Sequence, residues 1–239
     1  MFQALSLTDA GRASRAFRKL ARHDIQTWAL TGGLAVEFYC LHFGLQPRVR
    51  SLNDFDFVAE CFDNIPATLS RDFLFRHIHP SDPPGKTMMQ CIDADSALRI
   101  DVFRTCGATM IRSRVIELSC GTIRVVSPED LVARLARLTM DLTEGVPTPL
   151  KHAEDFLRLD GLIACEEMES VWREHRKAEH PESFAEVRST LRVAIPAHPE
   201  LLVPSTYSRD VYELCPRCVS TSSFRLADLS AVLALLGYC

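Results

Sequence analysis

Two pieces of sequence decide the fold: Thr27-Trp28-Ala29-Leu30-Thr31-Gly32-Gly33-Leu34-Ala35-Val36, and further on Ser51-Leu52-Asn53-Asp54-Phe55-Asp56-Phe57. Successive side chains of an extended strand point to opposite faces, so Asp54 and Asp56 share one face while Phe55 and Phe57 go to the other. Side-by-side carboxylates repel each other unless a cation lies between them, and Mg²⁺ prefers hard oxygen ligands. The second piece therefore reads as a metal-binding face over an apolar back.

The glycine pair suits a tight strand-to-helix turn, because glycine accepts positive φ and lets a ligand come close to the backbone. The first-turn amides of the helix that follows, over residues 34–43, would then point at an anion such as a phosphate. A third carboxylate comes from Leu98-Arg99-Ile100-Asp101-Val102-Phe103-Arg104, where alternation sets Asp101 on the face opposite Ile100 and Val102. Paired on the first strand, it would bring Asp101 to Asp54 and Asp56. Strands and helices alternating in this way predict an α/β fold with a small mixed sheet.

At these residues the chain resembles the nucleotidyltransferase superfamily, in particular small bacterial members similar to the AbiEii-type toxins and the minimal or antibiotic-modifying nucleotidyltransferases. Their pattern is a Gly-Gly turn opening a helix, an Arg-led strand with two aspartates flanking a hydrophobic residue, and a third Asp on a later strand. Here these are Gly32-Gly33, then Arg50-Ser51-Leu52-Asn53-Asp54-Phe55-Asp56, then Asp101. Leu34 stands where the family often has Ser, and the first metal Asp comes one residue late after Arg50. The resemblance implies a nucleotidyltransferase-type sheet flanked by helices, with Asp54, Asp56 and Asp101 as catalytic Mg²⁺ ligands. It also implies that Gly32, Gly33, Arg50 and Ser51 contact an NTP such as ATP.

Downstream, Val115–Leu118 and Thr122–Val126 read as a hairpin around Cys120-Gly121. Ser127-Pro128-Glu129-Asp130 is a helix start, with Ser as cap, Pro in the first turn and acids beside it. That helix is expected to run to Leu142, and another from Leu150 to Leu159. A Ser-Pro-Glu-Asp-Leu helix followed by a Lys-led acidic helix also occurs in the nucleotidyltransferases. There the resemblance gives Lys151 to the triphosphate, with Arg134 in place of the usual Lys and His152 in place of a common Asp. The competing reading of Lys151 is a surface partner for Asp155 one turn on. The resemblance spans residues 25–160.

Outside it, residues 7–21 read as an amphipathic helix with Ala13, Phe17 and Leu20 inward and a basic, solvated outer face. A helix is expected over Phe62–Phe75. His77 and His79 sit in a Pro-rich loop, and Asp93 and Asp95 belong to a turn. Two helical patterns fill 166–193, broken at His180-Pro181, and 194–208 reads as loop. Near the end, Cys215-Pro216-Arg217-Cys218 has zinc-knuckle spacing. Cys239 would be a third ligand and His175 or His180 a fourth; unmetallated thiols are the alternative.

The domain reading is a catalytic unit over 1–127 and a helical C-terminal region over 128–239, with the possible knuckle at 215–239. The 47% hydrophobic content is ample for a core, and a net charge of −4 gives no global attraction to nucleic acid. Nine scattered cysteines and no secretory segment after Met1 suggest a reducing cytoplasm. No apolar run reaches the roughly 20 residues of a membrane span. The expected reaction is transfer of a nucleoside monophosphate from NTP to a tRNA, protein or small-molecule acceptor, and a toxin-like role would bring an antitoxin partner. The rival readings are a catalytically silent nucleotide- or partner-binding member and a zinc-stabilised interaction protein.

Overall fold

In the computed structural model, which describes residues 4–60, 65–76, 88–118 and 121–205, helix α1 (Leu7–Leu20) precedes strand β1 (Trp28–Thr31), which runs directly into helix α2 (Gly32–His42). Strands β2 (Asp54–Ala59), β3 (Leu74–Arg76), β4 (Met88–Asp93) and β5 (Leu98–Arg104) follow, then the one-turn helix α3 (Thr109–Arg112) and strands β6 (Arg114–Leu118) and β7 (Gly121–Val125). The rest is mostly helical: α4 (Pro128–Thr139), α5 (Leu150–Asp160), α6 (Cys165–His175) and α7 (Phe184–Ala197). Short strands β8 (Thr148–Pro149) and β9 (Leu202–Val203) pair in parallel and tie the end of this region to the start of α5.

The fold is mixed α/β. Its seven-stranded sheet has the order β3-β4-β5-β2-β1-β7-β6. At the centre β2 is parallel to β5 and antiparallel to β1, while β1 is parallel to β7. Phe55, Phe57, Ile100 and Val102 are fully buried on one face, as their alternation requires. Helix α1 covers that face: the Phe17 ring lies 4.5 Å from Phe55 and 6.4 Å from Phe57, centroid to centroid. Helices α4 and α5 lie beyond the other face, so the carboxylates of β2 look toward them. No helix among the described residues is long and apolar enough to cross a membrane.

Helix α1 departs from expectation on its outer side. Its basic residues are not merely solvated: Arg12 donates to the carbonyls of Ser96 (2.8 Å), Ala97 (2.6 Å) and Leu52 (3.1 Å), and Lys19 donates to Asp93 at 2.7 Å. These side chains clamp the turn between β4 and β5, which fixes the strand that carries Asp101. The segment expected as a helix over 62–75 instead holds a 3-10 turn, Ala67–Arg71, and then β3. Pairing of Leu74–Arg76 with Ile92–Gln90 outweighs the weak helical pattern there.

Ser127 caps α4 as its sequence predicts, its Oγ accepting from the Asp130 amide at 3.1 Å. The α-helix stops at Thr139 rather than Leu142, passing into a 3-10 turn that ends on left-handed Gly145 (φ +74°). Helix α7 reaches Ala197 through Pro196, where the sequence reads as loop. A proline that close to the helix end frees only one carbonyl. His77, His79, Cys120, Cys215, Cys218 and Cys239 lie outside the described residues, and the zinc expectation falls there with them.

Candidate active site

The strand register decides where the carboxylates stand. On β2, Asp54 and Asp56 share the face turned to the helices, and in the parallel pair β2–β5 Asp56 is opposite Asp101 while Asp54 is opposite Arg99. Partners in a parallel ladder project to the same face, so three aspartates are grouped on two adjoining strands. Arg99 Nη2 donates to Asp54 at 3.2 Å, and Gln90 Nε2, from β4, donates to Asp101 Oδ1.

This grouping is electrostatically costly. Burial, and then the charge of Asp54, push Asp56 up to about 6 against the partial relief of Arg134, Lys151 and Arg99. Burial together with Asp54 and Asp56 pushes Asp101 up to about 7, with Gln90 and Arg99 opposing. Such uncompensated negative charge is what a hard cation would relieve. The donor set fits Mg²⁺, since all its atoms are carboxylate oxygens. Among the described residues no three His, Cys, Asp or Glu side chains form a ready-made metal cage.

The turn above the carboxylates is built around Gly32. Its φ of +67° is left-handed, and a Cβ there would stand 2.0 Å from Asp56 Oδ2 and 2.8 Å from Asp56 Cγ. Two separate demands thus select glycine, the backbone conformation and the carboxylate seated against it. Gly33 is less constrained, its notional Cβ meeting Arg50 Nη1 at 3.1 Å. Thr31, the residue before α2, makes no side-chain hydrogen bond to the first amides of the helix. We expect Gly32→Ala to lower stability by about 1–3 kcal/mol through strain and displacement of Asp56. Thermal melting checks this, with Gly33→Ala as the milder comparison; equal, negligible shifts in both would contradict the packing described here.

A cavity of about 420 Å³ opens over this turn. Its lining includes Gly32, Gly33, Arg50, Ser51, Asp54 and Asp56 on the sheet side and Arg134, Lys151, His152 and Asp155 on the helix side, so it draws on both sides of residue 127. Leu34, Val36, Leu131, Leu135, Leu138 and Leu150 give it an apolar portion. Asp101 stands one strand behind Asp56, outside that lining. Arg134 crosses above β5, its guanidinium 5.0 Å over the Phe103 ring and its Nη1 3.3 Å from Thr31 Oγ1. Burial lowers His152 to about 4, helped by Lys151 and Arg134, so its ring is neutral at neutral pH.

Arg50 serves the site in a way its sequence position does not reveal. Its Nε donates to Glu37 at 2.7 Å and its Nη2 donates to Asp155, binding α2 to α5 across the cavity floor. Glu37, with no exposed surface, also accepts from Arg158 Nη1 (2.5 Å) and Nη2 (3.0 Å) and from the Arg48 amide (2.9 Å). Burial raises Glu37, but these donors bring it below the usual carboxylate range. Asp155 thus has Arg50, from outside its own helix, as a partner. Sequence reasoning missed Glu37 and Arg158; a single acid inside the apolar Leu34–Cys40 run was the available signal.

Two histidines considered as zinc ligands have other surroundings. His175 is buried between Cys106 and Asp130, and His180 stacks on Trp172 with ring centroids 5.8 Å apart and planes 3° from parallel.

Comparison with family models and with curated proteins gives no match. Among solved structures, the chain is similar to an antigenic nucleotidyltransferase-like protein from Paracoccidioides brasiliensis, at 15% identity and a TM-score of 0.44, covering 80% of this chain and 90% of that one. A likeness of this size transfers neither activity nor residue roles.

Proposed function

We propose that this chain is a Mg²⁺-dependent nucleotidyltransferase that moves a nucleoside monophosphate from an NTP to a hydroxyl or phosphate acceptor. The observation that carries the reading is the register: Asp54, Asp56 and Asp101 on adjoining strands, beneath a left-handed glycine turn and beside a cavity that combines cations with an apolar wall. The apolar portion suits a base, and the amides at the start of α2 suit phosphate oxygens. Asp54 and Asp56 would hold the metal, which when bound would neutralise triphosphate charge and stabilise the leaving pyrophosphate. Lys151 and Arg134 add positive charge where the chain's own carboxylates are in excess.

Asp101 has a different part. Its carboxylate, on β5 opposite Asp56 and outside the cavity lining, would take the acceptor hydroxyl's proton from beside the metal-holding pair. Arg50 acts at one remove, keeping α2 and α5 at their spacing. The acceptor belongs to one of three classes, tRNA, protein or small molecule, and a toxin-like role with an antitoxin partner is compatible with the first two. The test is incubation of the protein with α-labelled and γ-labelled NTPs, Mg²⁺ and acceptors of each class. The reading expects α-label on an acceptor with equimolar pyrophosphate; transfer of γ-label, or no transfer to any class, counts against it.

A further inference from the structure

Outside the cavity lining, three side chains from separate segments form a cluster the proposed reaction does not use. Cys106 lies just past β5, and its Sγ is 3.4 Å from Nδ1 and 3.7 Å from Nε2 of His175, the last residue of α6, so the sulfur rests against the imidazole ring. Nε2 is also 2.8 Å from Oδ1 of Asp130 in the first turn of α4. His175 and Asp130 are buried, whereas Cys106 keeps part of its surface in solvent. Thr109, Arg112 and Ser127 each donate to the Asp130 carboxylate at 2.8 Å, so it is a fixed anion.

These contacts define the protonation pattern. Nε2–H is donated to Asp130, and a second proton on Nδ1 makes the ring an imidazolium whose charge, against the sulfur, favours the thiolate. Burial raises the Cys106 thiol, but the hydrogen bond and charge of His175, with Arg137, bring it below its ordinary value. Burial lowers His175, and Asp130 and Cys106 more than reverse that. The other charges nearby are Arg134, which senses the sulfur from α4, and Glu174, which is tied to Arg112. The Ala108 amide, a natural donor to an acyl oxyanion, is already donated to Glu174 Oε2 at 2.8 Å. The arrangement thus suits a reactive thiolate and not acyl transfer.

We propose that Cys106 is a peroxide-reactive thiolate, activated by His175 and positioned through Asp130, and is a site of oxidative modification to sulfenic acid. The sulfur attacks one oxygen of hydrogen peroxide; the S–O bond forms as the O–O bond breaks. The hydroxide that leaves takes the imidazolium proton and departs as water, so sulfur loses two electrons to the peroxide and His175 ends neutral. The ion pair then no longer exists, while Asp130 keeps Arg112.

The full-length reduced protein, treated with equimolar hydrogen peroxide in the presence of dimedone, should carry the label at Cys106 at least tenfold above the buried Cys40 and Cys91 in peptide mass spectrometry. Iodoacetamide alkylation of Cys106, followed against pH, should show a midpoint below the free-thiol value of about 8.5. His175→Gln should move that midpoint up and lower the rate at neutral pH about tenfold. A lower melting temperature in that variant with an unmoved midpoint would make His175 merely structural and overturn the proposal. If the variant fails to fold, the wild-type profile decides: a midpoint at or above the free-thiol value, or dimedone labelling no greater than at Cys40 and Cys91, overturns it.

Discussion

Asp54→Asn and Asp56→Asn should each reduce Mg²⁺-dependent nucleotide turnover by about 10³-fold or more, corresponding to about 4 kcal/mol of transition-state stabilisation. Both residues stand on the β2 face that borders the cavity, where a carboxylate-to-amide change removes charge and leaves shape. The fold should survive, because the apolar side of β2 is untouched and the amide oxygen introduced by Asp54→Asn can still accept from Arg99. Melting temperature should hold in Asp54→Asn. In Asp56→Asn it should hold or rise, since the change relieves a buried group held up near 6 by its surroundings and by Asp54. Wild-type turnover in both variants would remove these residues from the chemistry, and a collapsed fold would make the loss uninterpretable as catalysis.

Asp101→Asn should lower the rate by about 10²–10⁴-fold while changing nucleotide affinity far less, as a general base acts mainly in the transition state. Equal losses in rate and affinity would contradict that division. The same residue carries a pH signature. Its folded value is raised to about 7 from 3.8, so its carboxyl favours the fold when protonated; that contribution is present below about 4 and is lost as pH rises through about 7. Metal-free protein should therefore melt lower at pH 8 than at pH 5. Allowing for solvent that still reaches the group, the change is on the order of 1–3 kcal/mol, and Asp101→Asn should remove most of it. A stability profile that is flat in the wild type, or equally steep in the variant, would contradict the grouping of carboxylates.

Period-two alternation over Asp54–Phe57 and Leu98–Arg104 made the central strands readable, because one apolar face admits only one register. The glycine turn and the Ser127 cap were equally local in cause. What escaped depends on partners far along the chain. Arg50 matches a motif, yet its role is set by Glu37 and Asp155, and nothing in the sequence near Arg50 announces Asp155. Likewise the basic side of α1 looks solvent-facing until the β4–β5 turn arrives beneath Arg12 and Lys19. The strand at Leu74–Arg76 forms through pairing with β4, a non-local contact that outweighs local propensity. Cys106, His175 and Asp130 could not be joined by spacing alone, since three separate elements bring them together.

The most direct test of the central claim is calorimetric titration of the wild-type protein with each NTP, with and without Mg²⁺, alongside Asp54→Asn and Asp56→Asn. At least one NTP should bind saturably and one-to-one, at least tenfold more tightly with Mg²⁺, a dependence both variants should lose. Nucleotide binding indifferent to Mg²⁺, or a Mg²⁺ dependence that persists in both variants, would contradict the assignment of the β2 carboxylates as the metal-holding pair.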